Sequence, residues 1–215
     1  MRVYFDMTNI FIDTATYGCN LALFDDESVI AVHHEPIERG HAETINPLIE
    51  RLLKDNNKTP QDIQNIYTTI GPGSFTGLRV GLTVAQFMGF SLKKPVHGLT
   101  TFQAFSCGLG VSKDRTILIE TKRGDYYMQV MDKHHKPLSE PSVVQAKDVH
   151  GDVITGDAVE RFLQEVDFSG DITHQSHIDI VSVLKAIQSQ ELDYYPAEAF
   201  YARDADVSKP KAGRL

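Results

Sequence analysis

The chain has 215 residues, of which 41% are hydrophobic, and a formal net charge of −8. This size and composition predict a folded core and exclude global disorder. The negative charge excludes autonomous nucleic-acid binding, which needs a basic face. Two cysteines, Cys19 and Cys107, cannot build a disulfide framework. Without a bilayer-length apolar run or a signal-peptide start, the sequence predicts a cytoplasmic protein with no membrane association.

Strand and helix patterns alternate along the first half. Apolar runs predict strands at 9–13, 21–24, 29–32, 63–70 and 96–98, and helices around 45–53, at 76–91 and at 100–107. The first helix starts either at Asn46-Pro47 or near His41, and both starts keep its apolar stripe on one face. The order predicts an α/β domain over residues 1–108, in which the later strands need helical crossovers.

A weaker version of the pattern follows a linker expected at 108–114. Strands are predicted at 116–119, 126–131 and 149–155, and helices at 159–166 and near 180–187. We interpret residues 109–215 as a shorter, degenerate second copy of the first domain, with a polar tail from Ala202. Residues 1–8 are expected to be an extension, with Met7 an alternative natural start.

The helix predicted at 76–91 is apolar on nearly all sides, so it must be buried on more than one side. Small residues recur every four positions, at Gly77, Gly81, Ala85 and Gly89. Such a row forms a groove that a second backbone can approach closely, which offsets the cost of glycine in a helix. The groove fits either the chain's own sheet or another subunit, and the pattern does not choose between them.

A turn rich in glycine precedes this helix. It can bind an anion at the helix N-terminus, or it can be a structural turn in which Ser74 or Thr76 is the N-cap. It is neither a P-loop nor a dinucleotide-binding turn, because the required spacings are missing. The residues of the turn that matter below are Gly71, Pro72, Gly73, Ser74, Phe75, Thr76 and Gly77, together with Arg79.

Residues 66–79, IYTTIGPGSFTGLR, resemble the signature of the TsaB (YeaZ-like) family of tRNA threonylcarbamoyladenosine biosynthesis proteins. Looser matches follow in order at 12–16, 41–53, 94–104, 120–127 and 201–205. The resemblance implies an actin/Hsp70-like α/β fold with two related domains, the second degenerate. It also implies a non-catalytic subunit without a cofactor, which pairs with the catalytic paralogue TsaD and recruits the ATPase TsaE. Together they modify the adenosine 3′ of certain tRNA anticodons, so tRNA is a partner only within the complex.

The family pairs through helices that correspond here to 41–55 and 76–91. The interface residues that the resemblance implies are His41, Ile45, Leu48, Leu52, Leu78, Gly81, Leu82, Ala85 and Gly89. Without a partner, this face is expected to be open and to form a homodimer. A large charged residue at position 81 is expected to block pairing and leave the monomer folded.

Catalytic residues of the paralogues have no equivalent by this register. Their His-x-x-x-His metal pair falls on Thr101 and Phe105, and a phenyl ring cannot coordinate a metal. Their Asp-x-Gly-Thr phosphate turn reads Asp13-Thr14-Ala15-Thr16, where alanine weakens close backbone approach and Asp13 is expected to be a strand-end capping acid.

The remaining histidines are not expected to bind metal. His97 is interpreted as a strand-end residue, His41 as a surface or interface residue, and the pairs 33–34 and 134–135 as surface pairs. Two other functions stay open: an autonomous actin-like ATPase or small-molecule kinase, which needs Asp13 and the 71–77 turn to hold Mg-ATP, and a protease.

Overall fold

The computed structural model of the chain describes residues 8–108 and 113–202. Of the predicted amino-terminal extension, residues 1–7 with Met7 lie outside the described residues, whereas Thr8 is the first residue of a strand, which corrects the prediction at that position. The centre of the predicted linker and the tail beyond Ala202 also lie outside the described residues. The first half contains β1 (Thr8–Asp13), β2 (Cys19–Phe24), β3 (Val29–Glu35), α1 (His41–Asp55), β4 (Ile63–Thr69), α2 (Phe75–Leu92), β5 (Val96–Leu99) and α3 (Thr101–Cys107). The second half contains β6 (Arg115–Glu120), β7 (Tyr126–Met131), β8 (Ser142–Val144), β9 (Val153–Gly156), α4 (Val159–Glu165), β10 (Asp171–His174) and α5 (Ile180–Gln188).

The two five-stranded sheets share one strand order. The first sheet runs β3-β2-β1-β4-β5, with β1, β2 and β3 antiparallel and β4 and β5 parallel to β1. The second runs β8-β7-β6-β9-β10 with the same directions. A short 3-10 turn, Ala146–Asp148, stands where α1 stands in the first copy. The predicted fold class, an actin/Hsp70-like pair of α/β units with a degenerate second copy, is therefore confirmed.

Three apolar cores explain why these strands form. Alternate residues of β1 and β2 face α1 and α2 on one side of the first sheet, and the others face α3 and α5 on the other side. All six residues of β1 are buried, as expected for a strand covered on both faces. The core around α3 and α5 also contains Ile117, Ile119 and Met131 of the second sheet, so it lies between the sheets. The third core packs α4 on the outer face of the second sheet.

The first helix starts at His41, the earlier of the two predicted starts. Gly40 precedes it in a left-handed conformation, and Pro47 lies inside the helix. The missing N–H of Pro47 removes one hydrogen bond, to the carbonyl of Glu43 in the first turn. The apolar stripe of α1, from Ile45 to Leu53, then packs on the sheet as the 3.6-residue period predicts.

Two strands are missing from the sequence prediction. β8 has three residues, and the edge strand β10 is polar and mostly exposed, so neither contains an apolar run. The strand predicted at 149–155 begins only at Val153, since residues 149–152 form an irregular connection after the 3-10 turn. The predicted boundary at 108/109 stays a prediction, since residues 109–112 are not described. None of the helices in the described ranges is long and apolar enough to cross a membrane.

Candidate functional site

The signature turn connects β4 to α2 and is built as a structural cap. Ser74 is the N-cap of α2, and its hydroxyl accepts a hydrogen bond from the backbone N–H of Gly77 at 3.2 Å. The carbonyl of Ser74 accepts a second bond from the N–H of Leu78 at 2.8 Å. The bond from Leu78 is the first regular bond of the helix, and the cap satisfies the N–H of Gly77, one of the groups that a bound anion could otherwise contact.

The same turn is held against the β1–β2 turn. The N–H of Ser74 donates to the carbonyl of Ala15 at 2.8 Å. A Cβ atom at Gly73 would lie 2.3 Å from that carbonyl oxygen, and one at Gly77 would lie 2.0 Å from the carbonyl oxygen of Thr14. The glycines are therefore required by contact between two segments of the chain. This supports the structural interpretation of the turn over anion binding.

Asp13, at the end of β1, is a buried acid with four hydrogen-bond donors. They are the N–H of Ala15, the side-chain amide of Asn20 and the hydroxyls of Thr16 and Thr69. These donors occupy both carboxylate oxygens, which leaves little capacity to bind a metal–nucleotide complex. Asp13 joins β1, β2 and β4 at their ends, as the interpretation of a capping acid predicts.

A cleft of about 870 Å³ lies between the two halves and is bordered by this turn. From the first half it is lined by the β1–β2 turn and the start of α2, and from the second half by the β6–β7 turn and the start of α4. The side chains that give it chemical character are Tyr17, Ser74, Phe75, Arg79, Lys122, Arg123, Asp157, Glu160 and Tyr201. The cleft therefore lies where the two related α/β units of the chain meet.

Several charged groups of the cleft are paired inside the chain. The guanidinium of Arg79 lies 3.7 Å from the ring centroid of Phe75 and donates to the hydroxyl of Tyr201 at 3.2 Å. Glu120 forms an ion pair with Arg161 at 2.7 Å. Arg79 and Glu120 therefore both have interaction partners within the chain.

Asp157 is the acid of the cleft whose protonation changes near neutral pH. Its Oδ1 accepts the N–H of Glu120 at 2.9 Å, but burial, helped by the carboxylate of Glu120, raises the pKa of Asp157 to about 7. The preceding Gly156 brings it there, because a Cβ atom at position 156 would lie 2.0 Å from the carbonyl oxygen of Leu118. Such a group can exchange a proton with a ligand at neutral pH.

Thr101 and Phe105, at the positions of the paralogues' metal pair, are both buried in α3. Within residues 8–108 and 113–202, no cluster of three or more His, Cys, Asp or Glu side chains could hold a metal ion. His97 stacks on Tyr67, with ring centroids 4.9 Å apart, and burial lowers the pKa of its imidazole.

His41, predicted as a surface or interface residue, and His135, predicted as a surface residue, are both buried, which corrects the surface interpretation of each. His41 is covered at the start of α1. His135 lies under α3, where its Nδ1 is 2.9 Å from the hydroxyl of Ser106 and its Nε2 is 3.6 Å from a carboxylate oxygen of Glu191. Residue 135 has a left-handed backbone, which turns its side chain back into the core. Sequence spacing could not reveal this proximity.

The Ser106–His135–Glu191 arrangement has the residue types of a hydrolase triad but not its accessibility. The hydroxyl of Ser106 is fully buried and lies 2.7 Å from the carbonyl oxygen of Gln103, to which it donates. A nucleophile needs an open approach for a substrate carbonyl. We therefore assign the cluster a packing role.

The nine residues expected at the partner interface are buried inside the chain itself. A Cβ atom at Gly81 would lie 2.4 Å from the hydroxyl oxygen of Thr14, and one at Gly89 would lie 2.3 Å from a methyl carbon of Val96. The small-residue edge of α2 therefore faces the β1–β2 turn and β5. The expectation that this groove and the α1 stripe are open without a partner is wrong.

The outer side of α2 carries exposed aromatic residues that the spacing argument overlooked. Phe90 exposes 84% of its surface, Phe87 69% and Phe75 56%. Phe87 and Phe90 are three positions apart and therefore neighbours on one helix face. The sequence did contain a signal for this exposed aromatic side, because α2 is apolar on nearly all sides. Glycine, alanine and leucine fill its inner side, so the phenylalanines must lie on the outer side.

Comparisons with known proteins agree with this architecture. The sequence model of the family described as "TsaD: tRNA N6-adenosine threonylcarbamoyltransferase" matches residues 29–176, which is more than half of the chain. The protein named tRNA threonylcarbamoyladenosine biosynthesis protein TsaB from Bacillus subtilis is 32% identical over 123 residues, covering 56% of this chain and 53% of that protein. The TsaB protein of Escherichia coli is 32% identical over 124 residues with the same coverage. The chain thus matches about half the length of these curated relatives.

Solved structures extend the likeness of the fold to nearly the whole chain. A Pseudomonas aeruginosa protein described as similar to the peptidase YEAZ superposes with a TM-score of 0.78 at 19% identity, covering 92% of this chain and 100% of that chain. YeaZ from the same organism gives a TM-score of 0.73 at 17% identity, covering 91% and 99%. At these identities the superpositions show the fold alone.

Proposed function

This chain belongs to the TsaD family of tRNA N6-adenosine threonylcarbamoyltransferases as a TsaB-like member, and we propose that it takes part in threonylcarbamoyladenosine synthesis on tRNA. In this proposal it is a non-catalytic subunit that pairs with TsaD, helps to recruit TsaE and approaches tRNA only within the complex. The net charge of −8 fits a protein whose basic surface for RNA comes from its partners.

The observation that carries the proposal is the contrast between the two sides of α2. Its inner side, with the signature turn, is fastened to the β1–β2 turn by hydrogen bonds and glycine contacts. Its outer side leaves Phe87 and Phe90 largely in solvent. An exposed aromatic pair on a helix is typical of a docking surface, since each ring removes roughly 150–250 Å² from water when it is covered.

The docking surface that we propose is therefore the outer side of α2, from Phe87 to Phe90, with the neighbouring outer side of α1. The buried residues of both helices support this surface and do not touch the partner. In the absence of TsaD, the same surface serves for association of two copies of the chain.

Co-expression with TsaD and TsaE tests the proposal. We expect wild-type chain to co-purify with TsaD and to be required for modified tRNA. The double variant Phe87→Glu/Phe90→Glu should weaken pairing about 1,000-fold, since a buried aromatic anchor contributes roughly 2 kcal/mol and two are lost. Its unfolding temperature should stay close to wild type, because both side chains are exposed.

Leu138→Glu is the matched control, because Leu138 is 55% exposed and lies in the second half. It should pair and support modification like wild type. Normal pairing by the double phenylalanine variant would place the interface elsewhere. Full tRNA modification without this chain would refute the subunit role itself.

A second function, an autonomous actin-like ATPase or kinase, is favoured by the cleft of about 870 Å³ between the halves. The four donors on Asp13 and the internal bonds of the signature turn oppose it. Thermal unfolding of the isolated chain with and without Mg-ATP separates the two functions. A subunit without its own nucleotide chemistry should show the same midpoint in both samples.

A further inference from the structure

Two imidazole rings stack where the two halves of the chain meet. His34 belongs to β3 of the first sheet, and His177 belongs to the segment that leads from β10 of the second sheet into α5. Their ring centroids are 4.5 Å apart and their planes differ by 17°. Tyr17 and Ser176, next to this stack, line the cleft. The stack therefore lies beside the cleft.

Hydrogen bonds determine which nitrogen of His34 carries the proton. The amide nitrogen of Asn20 donates to Asp13, so the amide oxygen of Asn20 faces Nδ1 of His34, 2.7 Å away. An amide oxygen can only accept, which places the proton of neutral His34 on Nδ1. A second proton would have to bind Nε2 and would charge the ring.

The charged groups around His34 do not provide a direct counter-ion. On β3, Glu35 lies 3.2 Å from His33 and pairs with it. On β1, Asp13 is surrounded by its own donors. Burial, together with the positive fields of His177 and His33, lowers the pKa of His34 against the opposing effect of the two carboxylates.

Other elements packed around the stack add little charge. On the β1–β2 turn, the ring of Tyr17 lies 6.0 Å from His34. On β2, Cys19 is held as a neutral thiol, because burial raises the pKa of its sulfur to about 11. On the other side, Nδ1 of His177 lies 3.0 Å from the hydroxyl of Ser176.

We propose that the stacked pair His34–His177 is a pH-sensitive clasp that holds the two halves together beside the cleft. Neutral rings stack face to face, whereas two imidazolium ions at the same distance repel each other. As the pH falls and both rings become charged, the clasp loosens and the cleft widens.

Spin labels on the two halves of the full-length chain test this inference. Lys54→Cys on α1 and Gln164→Cys on α4 place labels at exposed positions, while the native Cys19 and Cys107 are buried. We expect the label–label distance to be longer at about pH 5.5 than at about pH 8, with a midpoint near the histidine range. An identical distance at both pH values would overturn the proposal.

Variants of His177 show whether the pair is responsible. His177→Phe keeps a flat ring on His34 but removes the second charge, so the distance should no longer depend on pH. His177→Lys carries a permanent cation, so the distance should be short at about pH 8 and should still lengthen in acid, when His34 becomes charged beside it. His150→Phe is the control, because His150 is exposed and its imidazole Nδ1 lies 3.2 Å from the carbonyl oxygen of Asp148, away from the stack.

Circular dichroism at about pH 8 checks that each variant is folded, and His177→Gln provides a second uncharged replacement. A wild-type pH response in His177→Phe or in His177→Gln would assign the movement to another group and refute the clasp. Loss of the response in the His150→Phe control would do the same.

Discussion

The hydroxyl of Thr14 forms hydrogen bonds with two glycines of α2, Gly77 and Gly81, which are four residues apart. It donates to the carbonyl of Gly77 at 2.6 Å and accepts a hydrogen bond from the N–H of Gly81 at 3.0 Å. One side chain from the β1–β2 turn thereby fixes the first two turns of the helix. Only glycine allows this approach at both positions, because a Cβ atom at either would overlap Thr14.

Replacing Gly81 by glutamate should therefore unfold the chain before it affects any partner. The new side chain would overlap Thr14 and place an unpaired charge in a buried site, which costs more than about 4 kcal/mol of the free energy of unfolding. Urea denaturation of the isolated chain measures this loss. This outcome replaces the expectation that such a variant stays a folded monomer.

Thr83→Glu provides the control for this variant, because Thr83 lies two residues further along α2 and is exposed. Its free energy of unfolding should stay within about 0.5 kcal/mol of wild type. A Gly81→Glu chain that is as stable as wild type but does not bind TsaD would restore the interface interpretation of the glycine row.

Asp13→Asn should destabilise the chain by about 3 kcal/mol, because the new amide group would point a donor at groups that themselves donate. The midpoint of thermal unfolding should fall accordingly. Asp55→Asn, at the exposed end of α1, should change little. Equal midpoints for the two variants would show that Asp13 is not the structural junction of β1, β2 and β4.

The sequence predicts secondary-structure elements that have a hydrophobic pattern, but it does not predict which segments contact each other. β1, β2 and β6 contain apolar runs at 10–12, 21–24 and 117–119, and α1 has one apolar stripe, so the hydrophobic pattern alone predicts these elements. The polar edge strand β10 has no such period. The row from Gly77 to Gly89 records that something approaches α2 closely, but it has the same spacing whether the neighbour is Thr14 or another protein.

The candidate site shows the same division. The resemblance of residues 66–79 identifies the turn, which the structure places at the border of the cleft, and Ser74 is one of the two N-caps, Ser74 or Thr76, that residue type predicts. The contacts His34–His177 and Ser106–His135 join residues far apart in the chain. No local pattern encodes them, because they result from the way the two sheets pack around α3 and α5.

Acid should destabilise the folded chain through His135. Burial, helped by the positive charge of Arg115, lowers the pKa of His135 below the value near 6.5 of an unfolded chain. The unfolded state therefore binds more protons, so this contribution to stability is complete above about pH 6.5 and is lost as the pH falls through the folded pKa.

We expect His135→Asn to reduce the slope of the free energy of unfolding against pH between about pH 5 and 6.5. Asparagine tolerates the left-handed backbone of residue 135, so the variant should fold. His150→Asn, an exposed site, should leave the slope as in wild type. An unchanged slope in His135→Asn would mean that His135 is protonated equally in both states.

Asp157 should show the opposite pH dependence. Because burial raises the pKa of Asp157 to about 7, the folded state holds a proton that the unfolded state has released above about pH 4. This contribution to stability is complete below the unfolded pKa and is lost as the pH rises through about 7.

Asp157→Asn keeps an oxygen that accepts the N–H of Glu120 and removes the titration of residue 157. Its stability relative to wild type should therefore increase between about pH 5 and 8, as measured by urea denaturation at each pH. A constant difference across that range would mean that Asp157 is ionised in the folded chain, and the cleft would then have no acid that titrates near neutral pH at that position.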